Sequence, residues 1–475
     1  VPERGNKKIL SNKMTSSKSI LVTGATGYIA SRLIPQLLAR GYSVRVFARQ
    51  PQRLKSRSWF PQVEITTGDV MDASTLAPAL KDIHTAYYLI HNMTSGFGYT
   101  ERELDAARNF TQAAEEAGLQ HIIYLGGLAD EEQHIAPHMR SRIETGVTLR
   151  QGSIPITEFR AGVIAGSGSI SFEMIRFMTE LFPIIPAPVW INNKSQPIAT
   201  QNVIDYLLAA LDNWEGHGQV FEIGGPAVTT YQELMLHYGR IRGHKRSFFL
   251  FPYVPVWFMA FGIGLMTPVP YPIARALVGG LSSDSVVLHN DAHKIYPEVN
   301  LIDFESAARE ALTRLHPLKI ERVWEDGESH AKTLKHEGFF IDYREIQINA
   351  DPKKIFQIIK EMGNKTKWPY ANWLWKLRGF FGIRKFTPSA GYDYFQIDTI
   401  EPDHMLLLHS QLKAPGEGWM EWRVEKHAQG TRLMQTVYFT PHGFGGFSYW
   451  YFLYLIHVFA FRGLIKGIAS CAVVK

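Results

Sequence analysis

The sequence predicts a doubly wound α/β domain built on a parallel sheet, followed by an α+β domain of different build. Three observations carry this. Short β-branched runs alternate with segments of helical spacing as far as about Leu315, and small residues crowd the junction of the first strand and first helix. After a charged, polar stretch over residues 316–337 the pattern changes to alternating strands and aromatic-rich segments.

Ser19–Thr23 is a short apolar run, and Ile29, Leu33, Ile34, Leu37 and Leu38 follow it at helical spacing. Val44–Phe47, Val63–Thr66 and Ala86–Ile90 read as the next strands, and a helix over Glu101–Ala117 leads to Ile122–Leu125. Strands joined by helices in this rhythm make a parallel sheet covered on both faces. Phe221–Ile223 and a helix from Tyr231 continue the pattern. Phe248–Leu281 is strongly apolar, but prolines at 252, 255, 268, 270 and 272 interrupt it, so the expectation is an apolar lid and not a spanning helix. The division is a basic leader (1–18), a nucleotide-type domain (19–315), a linker (316–337) and a second domain (338–475). In the last, Phe340–Ile348 is a strand, Asp351-Pro352 opens a helix, and a long aromatic helix lies near the C-terminus.

At 475 residues the chain has room for two or three domains, and its 45% hydrophobic and 20% charged composition excludes an extended disordered protein. The net charge of +6 owes much to Arg4, Lys7, Lys8, Lys13 and Lys18 in the leader, opposed there by Glu3 alone. The body is close to neutral, which argues against a nucleic-acid surface. A single cysteine, Cys471, excludes an intramolecular disulfide and any Cys-based zinc site, and no metal site is expected. The leader lacks an apolar core, so it does not read as a secretory signal and a cytoplasmic location is expected.

Thr23-Gly24-Ala25-Thr26-Gly27-Tyr28-Ile29-Ala30 fits G-x-x-G-x-x-G/A between a strand and a helix. Small residues there let backbone N–H groups at a helix start approach a pyrophosphate. The alternative is a purely structural glycine turn. A dinucleotide domain selective for NAD(H) carries an acid at the end of its second strand, yet no acid occurs between Gly41 and Gln62. Arg45, Arg49, Arg53, Lys55 and Arg57 occupy that stretch, and Arg49 stands where the acid would be. Arginine there pairs with a 2′-phosphate, so NADP(H) is expected over NAD(H), the alternative being a solvated basic loop. Gly68-Asp69-Val70 has the form of a pair set against an adenine ring, or of an ordinary strand-end turn.

Gly24–Ala30, Gly68-Asp69-Val70, Tyr88-Leu89-Ile90-His91-Asn92-Met93 and Arg160-Ala161-Gly162-Val163-Ile164 together resemble the extended and atypical short-chain dehydrogenase/reductases, in particular their NmrA-like, epimerase-like branch. The resemblance covers about residues 19–315 and implies a Rossmann sheet with cofactor contacts from Thr23, Gly24, Thr26, Gly27, Tyr28, Ile29, Ala30, Arg49, Asp69, Val70 and His91. Typical members use Ser, Tyr and Lys, the tyrosine passing a proton to the substrate oxygen. This chain departs from that set. The strand that should end in the serine reads Tyr124-Leu125-Gly126-Gly127-Leu128, and the best register for Tyr-x-x-x-Lys places His138 and Arg142 at those positions. His138 is the candidate proton donor and Arg142 the candidate ribose ligand, while Ser141 and Glu144 fit an exposed helical face. Gly166-Ser167-Gly168-Ser169 is either a cradle for a polar substrate group or a loop beside the cleft.

Trp368-Pro369-Tyr370, Trp373-Leu374-Trp375-x-Leu377-Arg378-Gly379, Leu412–Gly416 and Gly443–Tyr451 look like an uncharacterised domain found behind atypical reductases, similar to the START-type (SRPBCC) helix-grip fold. That resemblance implies a cavity for an apolar small molecule. Phe444–Phe461 carries little charge; a buried grip helix is the reading adopted, with peripheral membrane contact through its Trp and Tyr residues as an additional expectation. The expected function is an NADP(H)-dependent oxidoreductase acting on an apolar carbonyl or enone-like substrate. The alternatives are a non-catalytic NADP-binding redox sensor or lipid- or quinone-binding protein, and a nucleotide-sugar epimerase or dehydratase.

Overall fold

The computed structural model describes residues 18–91, 99–133, 135–267, 269–325, 330–362, 368–374, 394–427 and 430–473. The leader before Lys18, Asn92, Met93, Pro268 and Trp375–Gly379 lie outside the described residues.

Seven parallel strands form the first sheet: β1 (Ser19–Thr23), β2 (Ser43–Ala48), β3 (Glu64–Thr67), β4 (Thr85–Tyr88), β5 (His121–Gly127), β6 (Ile156–Ala161) and β7 (Val220–Ile223). Their order is β7-β6-β5-β4-β1-β2-β3, so the winding reverses between β1 and β4. Ligands of such sheets bind at the carboxyl ends of the strands beside that reversal. Successive side chains of a strand face opposite ways, and the two cores show it: Ile20 and Val22 join one buried cluster and Leu21 the other. Helices α1 (Tyr28–Ala39), α2 (Tyr99–Glu116) and α3 (Pro137–Leu149) connect strands of this sheet.

Beyond the sheet lie α4 (Ile170–Leu181), a parallel strand pair (Ile184–Pro188 with Ser247–Phe251), and a helical hairpin of α5 (Val256–Met266) and α6 (Tyr271–Gly280).

The second domain is a six-stranded antiparallel sheet of β8 (Ala331–His336), β9 (Phe339–Ile348), β10 (Phe395–Glu401), β11 (Met405–Ser410), β12 (Gly416–His427) and β13 (Gly430–Pro441), in the order β8-β9-β13-β12-β11-β10. Helix α7 (Pro352–Glu361) starts as its sequence dictates, with Asp351 accepting from the Lys353 N–H and proline at the first turn. The expected C-terminal helix is two helices, α8 (Gly443–Phe452) and α9 (Tyr454–Val473). Ile355 and Ile359 of α7 and Leu464 and Ile468 of α9 share one core with Leu406, Trp422 and Leu433 of the sheet. By length and composition α9 could cross a membrane, but this half of it is core.

The described residues of the stretch expected to be a linker, 316–325 and 330–337, pack against both domains. Ile320 and Trp324 are buried with Phe339 and Tyr438 of the second sheet, which begins at Ala331. Buried Arg57 pairs with Glu321, and the Ser56 hydroxyl donates to the Arg322 carbonyl. These contacts fasten that stretch to the loop after β2. A second tie is Arg176 of α4, which bonds Glu173 and reaches across to Thr440 of β13 at 3.0 Å.

Candidate active site

The β1–α1 turn has the geometry of a phosphate cradle. Gly24 has φ +66°, where side chains are strained, and a Cβ on it would come within 2.5 Å of the Leu89 carbonyl oxygen. The Gly27 N–H bonds back to the Gly24 carbonyl at 2.8 Å and Gly27 becomes the N-cap of α1. Among the described residues no side chain caps α1, and its first turn holds no acid, so the first N–H groups are placed to meet a ligand. Ala30 is buried, as the third small position requires, and Thr26 is exposed at the turn. Thr23 serves differently: its buried hydroxyl donates to the Tyr87 carbonyl and accepts from the Leu89 N–H, latching β1 to β4. The Tyr28 hydroxyl bonds Thr200 at 2.9 Å, and its ring carries the Arg32 guanidinium at 3.9 Å.

The basic run after β2 divides in two. Arg45 is tied to Glu64 and to the Ala79 carbonyl, and Arg57 to Glu321 as described. Arg49, directly after β2, is exposed, with a loose 3.8 Å pairing to Asp69. Arg53 and Lys55 are exposed as well. Val70 is buried, while Asp69 also accepts from the Met71 N–H at the strand-end turn.

A cleft of about 340 Å³ runs from Gly24, Gly27 and Ile29 past His91 to His138 and Arg142. His138 and Arg142, one turn apart on α3, are therefore brought together. Where a serine would stand, Gly126 and Gly127 sit against the ends of two side chains. A Cβ on Gly127 would lie 2.8 Å from Met139 Cε, and one on Gly126 would lie 3.1 Å from a Glu158 carboxylate oxygen.

His138 is buried, and burial, followed by the Arg142 charge and His91, pushes its pKa down to about 4 against a smaller opposing effect of Glu103. Its resting form is thus a neutral imidazole at neutral pH, not the imidazolium that donation near neutral pH would use. His91 is held below its ordinary value chiefly by burial, while its Nδ1 meets Glu103 at 3.0 Å. That pairing assigns the proton to Nδ1 and leaves the buried Nε2, which has no partner among the described residues, as an acceptor. The buried Arg142 Nε likewise has no partner among the described residues, although Nη2 donates to the Leu125 carbonyl. Orphaned buried polar atoms beside an uncapped helix start fit a bound dinucleotide and substrate.

Glu103 escapes sequence reading. It accepts from His91 and, at 2.5 Å, from Ser141, whose hydroxyl is fully buried and not on an exposed face as expected. Glu144 is half-buried on the same helix. The Gly166–Ser169 loop also departs from expectation. Its Ser167 carbonyl accepts from Arg32, which pairs with Glu337, and a Cβ on Gly168 would strike the Glu337 side chain. The loop thus meets the second domain, and only Ser169 lines the cleft. Of the apolar segment expected as a lid, Leu277, Gly280 and Leu281 line the cleft, whereas α5 lies away from it.

A second cavity, of about 450 Å³, lies within the C-terminal domain, lined by Trp419, Tyr438, Phe439, Trp450, Ile456 and Phe461 among others. Among the described residues it has no lining residue in common with the cleft. Helix α4 touches both regions: Met174 and Ile175 face the cleft, and Arg176 bonds Thr440, next to Phe439 of the cavity.

Residues 24–146 match the family described as NAD(P)H-binding, and residues 336–464 match a family of proteins of unknown function. Among curated proteins, the chain is similar to a 3β-hydroxysteroid dehydrogenase/Δ5→4-isomerase of Mycobacterium tuberculosis, 31% identical over 22% of this chain and 30% of that one. It is also similar to the chloroplastic divinyl chlorophyllide a 8-vinyl-reductase of Cucumis sativus, 22% identical over 54% and 63% of the two chains. The chain thus spans less than two thirds of the length of either relative. Among solved structures, a Citrobacter triphenylmethane reductase superposes with TM-score 0.52 at 19% identity, over 62% of this chain and 99% of that one. An NADPH-dependent quinone oxidoreductase of Escherichia coli gives TM-score 0.50 at 16% identity, over 62% and 99%. These structures share the fold: a Rossmann-like α/β domain, here followed by a separate antiparallel sheet.

Proposed function

From the premise that residues 24–146 form an NAD(P)H-binding domain, we propose that the protein is an NADP(H)-dependent oxidoreductase acting on an apolar carbonyl or enone-like compound. The observation that carries this reading is one cleft holding the uncapped start of α1 at one end and, toward the other, His91 Nε2 and Arg142 Nε, which have no partner among the described residues. Gly24, Gly27 and Ala30 would admit the pyrophosphate, and Arg49 would exchange its loose partner Asp69 for a 2′-phosphate. Bound there, a reduced nicotinamide supplies hydride to a substrate carbon.

The protein's own groups set the rest. Arg142 is a permanent cation in the buried cleft, suited to stabilise negative charge that develops on a substrate oxygen. His138, neutral at rest, offers an N–H to that oxygen and not a full proton. His91 is oriented by Glu103, as a base is oriented by a carboxylate. This charge pattern favours a conjugated acceptor, where hydride leaves a delocalised oxyanion that solvent protonates afterwards. The similarity to a steroid dehydrogenase and a vinyl-reductase supports an apolar, conjugated substrate.

The second domain is read as START-like, with the long helix α9 held against an antiparallel sheet and the cavity receiving an apolar ligand. Having no lining in common with the cleft, it serves as a store or receiver and not as part of the reacting site. Two observations favour a second reading, a non-catalytic NADP-binding sensor: glycines replace the serine, and no described cleft histidine is charged at rest. Native mass spectrometry of protein purified without added ligand tests the proposal. An NADP mass together with an apolar metabolite is expected, and an empty protein that also fails to bind added NADP refutes it.

A further inference from the structure

A helix apolar on all sides is normally buried. Helix α5 is such a helix, with the sequence VWFMAFGIGLM, yet only Ala260 and Ile263 of it are buried. Trp257, Phe261 and Leu265 recur at four-residue spacing on one face, and with Phe258 they are all more than half exposed. Tyr253, just before the helix, is 80% exposed, and Phe249 and Phe251 of the preceding strand stand out beside it.

A second apolar patch belongs to the other domain. Phe452 and Leu455 at the α8–α9 junction are 86% and 79% exposed, joined by Ile456 and Phe459 on the first turns of α9. The two patches are linked at both ends. Phe182, next to the strand pair, stacks on Phe444 of α8 with ring centroids 6.5 Å apart. At the far end of α5, the Thr267 carbonyl accepts from Lys335 Nζ, which also sits 5.4 Å from the ring centroids of Phe447 and Tyr451. Exposed apolar surface of this extent marks an interaction site.

Charge identifies the occupant. No Asp or Glu occurs from Gly243 to Ser283, nor from Lys426 to the last residue, although the whole chain holds 44. Lys245, Arg275, Arg462 and Lys466 in these two segments are exposed cations. Apolar and aromatic side chains on two segments that carry exposed cations and no Asp or Glu match a bilayer surface bearing anionic headgroups, with aromatic rings at headgroup depth.

We infer that α5 and the α8–α9 junction form one monotopic membrane-docking face, by which the protein sits on an anionic bilayer with both domains in contact. The cavity of the second domain opens toward this face: Ile456 lines it and is itself 46% exposed, and Leu453 and Tyr449 lie alongside. An apolar ligand would therefore pass between bilayer and cavity without crossing water. The docking face stands whether or not the protein is a reductase, because it rests on neither the cleft nor the cofactor.

The test is co-sedimentation of the full chain with phosphatidylcholine vesicles, with and without phosphatidylglycerol. Binding is expected to the anionic vesicles and to weaken as salt rises. The double variant Trp257→Ser/Phe261→Ser, and separately Phe452→Ser/Leu455→Ser, should each lower vesicle affinity by about tenfold or more. Trp214→Ser, which removes an exposed aromatic from a different part of the chain, should leave it unchanged. Thermal denaturation and far-ultraviolet circular dichroism, measured in parallel, show that each variant is folded. Failure of wild type to sediment with either vesicle, loss of affinity in Trp214→Ser equal to that in the patch variants, or self-association that buries the face in a second copy would overturn the inference.

Discussion

The imidazole of His138 packs against the backbone of Gly280: a Cβ at position 280 would lie 3.0 Å from Cε1 of the ring and 3.2 Å from Nε2. Helix α6 thus fixes the position of the α3 histidine across the cleft. Gly280→Ala should shift the ring by a few tenths of an ångström and lower turnover on a substrate by about tenfold, with NADPH affinity little changed. Steady-state kinetics beside an NADPH titration checks this; equal turnover in the variant removes His138 from the reacting end.

Gly24 is constrained twice over, by its positive φ and by the Leu89 carbonyl. Gly24→Ala should destabilise the fold by about 1–3 kcal/mol and weaken NADPH binding by more than about tenfold, since the turn must open to relieve the clash. Thermal denaturation and fluorescence titration read the two effects separately.

Arg49 sets the cofactor preference in this account. Arg49→Asp removes the cation facing a 2′-phosphate and places a like charge there, so the NADP/NAD affinity ratio should fall by about ten- to a hundredfold. An unchanged ratio would show that Arg49 only screens Asp69.

What the sequence made legible follows from local physics. The β-branched runs and the glycine turn act within a few residues, so the sheet and the cradle could be read directly. Arg57 could not be separated from Arg49 by sequence, because its partner Glu321 lies more than 250 positions away and burial decides its role. Glu103 looked like any acid on an amphipathic helix; only the fold brings it to His91 and Ser141. Charged residues dominate the composition of the 316–337 stretch, whereas Ile320 and Trp324, two apolar positions within it, supply its anchoring. The lid was half right: α6 lines the cleft, whereas α5, equally apolar, faces outward for a reason composition alone does not disclose.

Two buried histidines should make stability fall on acidification. Burial and His217, whose ring stacks 3.8 Å away, push the His121 pKa down to about 3, and that of His138 lies at about 4. Both lie below the ordinary value of about 6.5, so between these limits the unfolded chain binds protons that the folded chain refuses. The stability from neutral burial is complete above about pH 6.5 and is lost as pH falls toward 4, by up to about 1.4 kcal/mol per pH unit per histidine. Urea denaturation across that range should show the slope, and His121→Gln should flatten it.

Arg176 is fully buried between Glu173, Glu180 and Thr440. Arg176→Met leaves the buried Glu173 carboxylate without its cation, while Glu180 keeps Arg242 at 3.1 Å, and cuts the tie from α4 to the second domain. A loss of about 3–5 kcal/mol is expected, together with separation of one unfolding transition into two by calorimetry.

The most direct test of the central claim is the nicotinamide absorbance of NADPH mixed with the full chain and a panel of apolar enones and quinones under anaerobic conditions. The account predicts NADPH oxidation that depends on substrate, matches reduced product mole for mole, and is lost in Arg142→Ala. NADPH that binds tightly yet is never oxidised by any member of the panel would contradict it and leave the protein as a nucleotide sensor.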